Sequence, residues 1–315
     1  MKSDNMSDII FLVLTLVGLS LFEIVSSIDN AVINADVLSG MSLKSRKIFL
    51  SWGIIFAVFV VRGLLPFLIV YSLNPSLGFL GVVHATLEGN TAVINSIEAS
   101  APPLLAAGGT FLIFLFFNWL FIEPKNFGLI GEKFIQRRAV WFYAIVSVLL
   151  SGIIWYAVHH SPIVAFGAVM GSTAFFVTHG FKQNAEQRER EMIKNVRMSD
   201  ISKLMYLEVI DATFSIDGVL GSFAFTLLVP LILVGNGIGA IVVRQITVSN
   251  IENVKKYRYL KNGAMYSIAV LGVIMLLESF GAHIPSYISP VATVAIIAYF
   301  FWKSKREINR MTVKK

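Results

Sequence analysis

Nine long apolar blocks, separated by segments that alternate between basic and base-free, restrict this chain to a bundle of membrane-crossing helices. The blocks run over roughly 9–30, 48–72, 104–123, 139–159, 161–181, 201–223, 226–248, 263–281 and 286–302. Each approaches or exceeds the ~20 residues that a helix needs to span hydrocarbon. Continuous runs of this kind do not fit a membrane barrel, whose strands alternate over ~10 residues. The first connecting segment holds Lys44, Arg46 and Lys47, and the second holds no base. Lys125, Lys133, Arg137 and Arg138 follow, then only His159 and His160, then Lys182, Arg188, Arg190, Lys194 and Arg197. After another base-free segment come Lys255, Lys256, Arg258 and Lys261, then none, then a tail with Lys303, Lys305, Arg306, Arg310, Lys314 and Lys315. Bases are retained on the cytoplasmic side, so the alternation predicts an all-α polytopic protein of about nine transmembrane helices, N-terminus outside and C-terminus inside.

Composition supports this and removes other classes. Only 14% of the 315 residues are charged, against about a quarter in an ordinary soluble domain. The net charge of +7 does not indicate nucleic acid, because the bases sit in short segments between apolar blocks. The absence of cysteine excludes disulfides, thiolate metal sites and redox pairs. The first block has one preceding base, Lys2, contains Glu23 and runs into Asp29, so it reads as a retained span and not as a signal peptide. Residues 182–198 read as a cytoplasmic helix linking two halves, a solvated linker before a partner site. Residues 73–103 form a long outer segment broken by Pro75, Pro102 and Pro103, with room for a short interfacial or re-entrant helix in its apolar middle.

The chain also repeats itself. Glu23 and Asp29 in the first span are matched, 188 positions later, by Asp211 and Asp217 in the sixth, and Ser-Ile precedes the second acid in both. Arg62 in span two is matched by Arg244 in span seven, each after a short Val-rich run. Spans one and six are separated by an odd number of crossings and therefore run oppositely. This is the signature of an inverted-topology repeat, which transporters use to place a substrate site near the bilayer midplane. The division that follows is 1–138 for the first repeat (spans one to three, with the outer loop 73–103), 139–200 for spans four and five and the charged linker, and 201–315 for the second repeat (spans six to eight) with span nine and the basic tail.

Glu23, Asp29, Glu208, Asp211 and Asp217 all lie in apolar blocks, where each ionised carboxylate costs at least ~2.5–3.5 kcal/mol. They must face a polar cavity, pair with bases, bind cations or stay protonated. Arg62 and Arg244 are the evident internal partners, and the excess of acids suits a cation. With the amides of Asn30 and Asn34 the donor set is all oxygen, which matches Mg²⁺, Ca²⁺ or Mn²⁺. Six residues of α-helix turn ~240°, so Glu23 and Asp29 do not share a face. Either the helix unwinds near 26–29, exposing carbonyls, or the acids serve successive stations. Asp36 extends the path inward or ends the span. Asn236 needs a partner inside the bilayer. Glu123, Glu278 and the five histidines read as interfacial or structural.

These residues resemble the signatures of the TerC family. Ser-Ile-Asp29-Asn30-Ala-Val-Ile-Asn34-Ala is similar to the first, and Glu208-Val-Ile-Asp211-Ala-Thr-Phe-Ser-Ile-Asp217 to the second. The likeness continues through 236–244 and 260–285. It implies a LysE-like exporter built from inverted three-helix repeats, with manganese efflux or tellurite resistance as its activity. It also implies that Glu23, Asp29, Asn30, Glu208, Asp211 and Asp217 are the working polar residues. Gly218 departs from the family's usual Ser or Thr, and Ile274 stands where a Lys is expected.

The function expected is secondary export of a divalent metal cation, Mn²⁺ foremost, through carboxylates at the repeat interface. Arg62 and Arg244 compensate the empty site, with Asp36 and Asn236 as gating candidates. Protons are the counter-ion considered, the bacterial cytoplasmic membrane is the location, and a homo-oligomer is compatible. No cofactor and no nucleic acid are expected, and no enzymatic activity, since the Gly-x-Gly-Asp signature of intramembrane aspartyl proteases is missing. An oxyanion (tellurite-type) or amino-acid exporter and a non-transporting component of a stress-resistance complex are the alternatives.

Overall fold

The computed structural model describes residues 2–53, 55–56, 62–73, 75–88, 101–124, 128–194, 199–249 and 256–313. Every regular element among them is helical. The first half contains α1 (Lys2–Ser26), α2 (Ile28–Ser39), α3 (Leu43–Ile48), a π-helical turn (Phe49–Gly53), α4 (Leu65–Leu73), α5 (Phe79–Glu88), α6 (Ala101–Phe121) and α7 (Ile130–Gln136). The remainder contains α8 (Trp141–His160), α9 (Pro162–Lys194), α10 (Asp200–Ser222), α11 (Val229–Ser249), α12 (Leu260–Ser279) and α13 (Ile288–Val313).

Six stretches among the described residues are long and apolar enough to cross a membrane: Ile9–Ser26, Ala101–Phe121, Trp141–His160, Pro162–Gln183, Val229–Val248 and Leu260–Ser279. They coincide with six of the nine expected spans. The other three take different forms. Block 48–72 is not one regular helix: a π-helical turn opens it and α4 closes it, with Pro66 in the first turn of α4, where a missing N–H is tolerated. Block 201–223 is a continuous helix, α10, but carries Lys203, Glu208, Asp211 and Asp217. Block 286–302 is the start of α13, which runs on into the basic tail.

Two further expectations are corrected and a third is met in part. The charged segment 182–198 is not a separate linker helix: α9 continues unbroken from Pro162 to Lys194, so Lys182 stands on the same helix as the fifth apolar block. Pro102 and Pro103 do not break the outer segment but start α6, in the first turn where proline fits. The apolar middle of 73–103 does form a short helix, α5, while 89–100 lie outside the described residues.

Close packing sets the helix directions. Gly235 and Gly239 of α11 meet Leu19 and Glu23 of α1, so these two helices run parallel. Gly218 and Gly221 of α10 meet Glu23 and Phe22, so α10 runs antiparallel to α1. Gly167 and Gly171 of α9 lie directly on the carbonyls of Pro103 and Ala107 in α6, a parallel pair. Gly108 and Gly109 of α6 face Met275, Leu276 and Gly272 of α12, an antiparallel one. Small residues at such crossings let backbones approach, which is how helices associate where hydrophobic burial gives little drive. α6 is the buried axis of the bundle, and Phe111 and Phe114 meet Phe175 of α9 edge-on at 6.0 and 5.7 Å.

Glu132 ties α7 to this axis. It is buried, accepts from Leu129 N at the start of its own helix (3.1 Å), and receives Asn262 Nδ2 (2.8 Å) and Tyr266 OH (3.0 Å) from α12.

Candidate functional site

The helix of the first acidic motif is interrupted at one residue. Ser27 separates α1 from α2, with φ −89° and ψ −1°, and its hydroxyl donates to Glu23 Oε1 at 2.8 Å. Thus the break falls where the six-residue spacing required either unwinding or two stations. It is confined to one residue, and Ser27 N still donates to the Glu23 carbonyl at 3.1 Å while Ala31 N donates to the Ser27 carbonyl at 2.9 Å. The matching helix α10 is continuous through Asp211 and Asp217.

Glu23 is 1% exposed. Its Oε1 receives Arg62 Nε at 2.9 Å and Nη2 at 2.6 Å. In the other half, Asp211 Oδ2 receives Arg244 Nη2 at 3.0 Å. Each repeat therefore closes its first acid with its own arginine, and the two pairs adjoin: Arg62 Nη1 stands 3.7 Å from Asp211 Oδ2. Glu208 completes the group by accepting from both Arg244 terminal nitrogens at 2.8 Å, the bidentate geometry that makes guanidinium–carboxylate pairs strong. Arg244 also donates to the Phe49 carbonyl at 3.0 Å and lies 4.2 Å from the Phe49 ring centroid. The π-helical turn supplies that carbonyl, a local form common at functional sites.

Three carboxylates (Glu23, Glu208, Asp211) thus share two guanidiniums, so that acids outnumber bases by one in this group among the described residues. Beside them, on one face of α2 four residues apart, Asn30 and Asn34 are each 4% exposed. Asn30 Nδ2 donates to Asp211 Oδ1 at 2.5 Å. The side-chain oxygens of both asparagines are buried without a hydrogen-bond partner among the described residues. Buried unsatisfied acceptors are uncommon and call for a donor or a cation.

The remaining expected residues fall elsewhere. Asp217 is not in this group; it pairs with Lys182 of α9 at 3.7 Å. Asp36 is exposed on α2. Asn236 finds its partner in Ser222, exchanging bonds of 2.7 and 3.1 Å at the α10–α11 contact. The side chain of Asp29 lies outside the described part of the structure. Among the described residues no three acidic or histidine side chains converge as a ready metal site; the carboxylates face bases instead. Sequence reasoning missed the role of Lys182, assigned to a separate cytoplasmic linker helix, as well as Glu132 and Gly53. A β-carbon at Gly53 would collide with the Glu208 carboxylate and the Arg244 guanidinium. The one signal for Lys182 was its place directly after the fifth apolar block.

A chain of this kind is an all-α, multi-pass membrane protein with a buried charged cluster among its helices. Residues 28–312 match the family described as "Protein of unknown function (DUF475)", and the chain belongs to that family. No curated protein and no solved structure matches it.

Proposed function

We propose that the protein is a secondary transporter that exports a divalent metal cation, Mn²⁺ foremost, across the bacterial cytoplasmic membrane through nine spans, N-terminus outside. One observation carries the reading: two equivalent acid–arginine pairs, Glu23–Arg62 and Asp211–Arg244, adjoin where antiparallel α1 and α10 cross, with a further acid and two unpartnered amide oxygens beside them. A purely structural ion-pair network needs neither the further acid nor the open acceptors. The parallel and antiparallel registers of α1, α6, α9, α10, α11 and α12 agree with the alternating basic loops. The likeness to TerC signatures supports manganese as cargo.

In this reading the arginines hold the carboxylates when no metal is present. The metal takes oxygen donors from Glu23, Glu208, Asp211, Asn30 and Asn34 as the guanidiniums turn aside, and one repeat then rocks against the other. An anionic substrate is disfavoured because both guanidiniums are engaged by carboxylates. Uptake of Mn²⁺ into proteoliposomes under an imposed proton gradient tests it, comparing wild type with Glu23→Gln and Asp211→Asn. Flux lost in both variants is the expected result. Wild-type protein silent for Mn²⁺, Mg²⁺ and Ca²⁺ defeats the reading.

A further inference from the structure

A second polar site adjoins the arginine cluster. Asp217, Lys182, Glu123, Asn30, Ser26, Ser27 and Ser215 line a small cavity of about 30 Å³, closed by the apolar Met265 and Ile268, room for about one or two water molecules. We propose that this cavity is a second station for the divalent cation and that Lys182 is a tethered ammonium that holds it between passages of substrate. The inference deepens the transport reading and rests on it.

The donor set is right for a hard ion. Two carboxylates, three hydroxyls and one amide surround the space, with no thiolate or imidazole on its wall, a choice that favours Mg²⁺, Ca²⁺ or Mn²⁺ over zinc or copper. Asn30 points to a ligand independently. It is 4% exposed, its Nδ2 is committed to Asp211, and its Oδ1 has no partner among the described residues. The same amide therefore joins the arginine cluster to this cavity, as does Ser27, which lines the cavity and donates to Glu23.

Lys182 has the properties of a displaceable occupant. Its Nζ is 3.7 Å from Asp217 Oδ2, longer than the ~2.7–2.9 Å of a charge-assisted hydrogen bond. A lysine is a compact charge on a flexible stem, unlike the fixed fork of arginine. Glu123 lines the same cavity and is ion-paired with Lys261 of α12. An arriving dication can thus take Asp217 while the ammonium moves along the wall toward Glu123. The ammonium thus offsets the Asp217 charge while no cation is bound.

Equilibrium binding of Mn²⁺ to the purified full chain tests this, in wild type, Lys182→Gln, Lys182→Met and Asp217→Asn. Removing the competitor should tighten Mn²⁺ binding by about 10-fold, because apparent affinity falls with the fraction of chain that is binding-competent. Combining Asp217→Asn with Lys182→Gln in one protein should abolish the gain. Unchanged or weaker binding in both Lys182 variants overturns the proposal. Should those variants not fold, acylation of wild-type lysines read by mass spectrometry decides: saturating Mn²⁺ should raise labelling of Lys182, and no change overturns it. Wild-type Mn²⁺ flux with Lys182 behaving as a bystander defeats this inference alone. Absence of both flux and saturable binding in wild type defeats the transport reading as well.

Discussion

Asn30 of α2 donates its side-chain amide to Asp211 of α10 across 2.5 Å, whereas Gly218, which occupies the place of Asn30 in the second repeat, offers Glu23 only a backbone. The two halves are therefore alike in their acid–arginine pairs and unlike in the residue that reaches across. A β-carbon at Gly218 would stand 2.7 Å from Glu23 Oε2. Because Arg62 and Ser27 both hold the other oxygen, the carboxylate cannot retreat freely. Gly218→Ala should slow Mn²⁺ flux by about 10-fold or more, the effect of ~1.4 kcal/mol lost from the transition state. Flux equal to wild type would show that this crossing has slack that the structure does not.

Arg62 and Glu23 are 3% and 1% exposed. Removing one partner of such a pair leaves an uncompensated buried charge and costs about 3–5 kcal/mol, while replacing both by neutral groups of similar volume costs much less. Arg62→Ala should thus lower thermal stability in detergent micelles far more than the double replacement Glu23→Gln with Arg62→Met. Equal losses in the two proteins would mean that packing, not charge, dominates at this site.

Gly53 leaves space for the bidentate Glu208–Arg244 pair. Gly53→Ala should push that pair apart, lower stability and reduce flux. Glu208→Asp in the same background should recover part of both, since the shorter side chain draws back from the new methyl. Thermal unfolding and flux of the single and double variants check this, and failure of the shorter acid to rescue would place the damage in the π-helical turn itself.

Asp200 begins α10 outside its apolar stretch and accepts from Ser42 and Ser45 near the start of α3. The Ser42 hydroxyl, its amide and the Ser45 hydroxyl hold the Asp200 carboxyl below its ordinary range. A depressed folded value means that this contact stabilises above the unfolded pKa of ~3.9 and is lost as pH falls through the folded value. The thermal-stability gap between wild type and Asp200→Asn should be open at pH 7 and close progressively below about pH 4. A gap that does not change with pH would remove the charge from this explanation.

How much of this could be read from the chain is clearest at particular residues. Six of the apolar blocks became long apolar helices because the backbone of a continuous apolar run in lipid can satisfy its hydrogen bonds only internally. The paired acidic motifs were also legible, since a buried acid is too costly to be ornamental, and the helices that carry them, α1 and α10, run antiparallel. Block 48–72 was not legible, because hydropathy alone does not register the π-helical turn beside Gly53. Lys182 was read as the start of a separate linker helix because charge marks a helix end only when the helix stops, and α9 does not stop there.

Composition and periodicity by themselves therefore determined the helical membrane class and picked out acids and arginines that the fold buries together. Both follow from the local cost of placing a group in hydrocarbon. Which base meets which acid was decided only by tertiary structure. The contacts that choose Arg62 for Glu23, Asn30 for Asp211 and Lys182 for Asp217 span 39, 181 and 35 positions of chain. They depend on where helices cross, and those crossings are set by glycines whose effect is felt only when another backbone arrives.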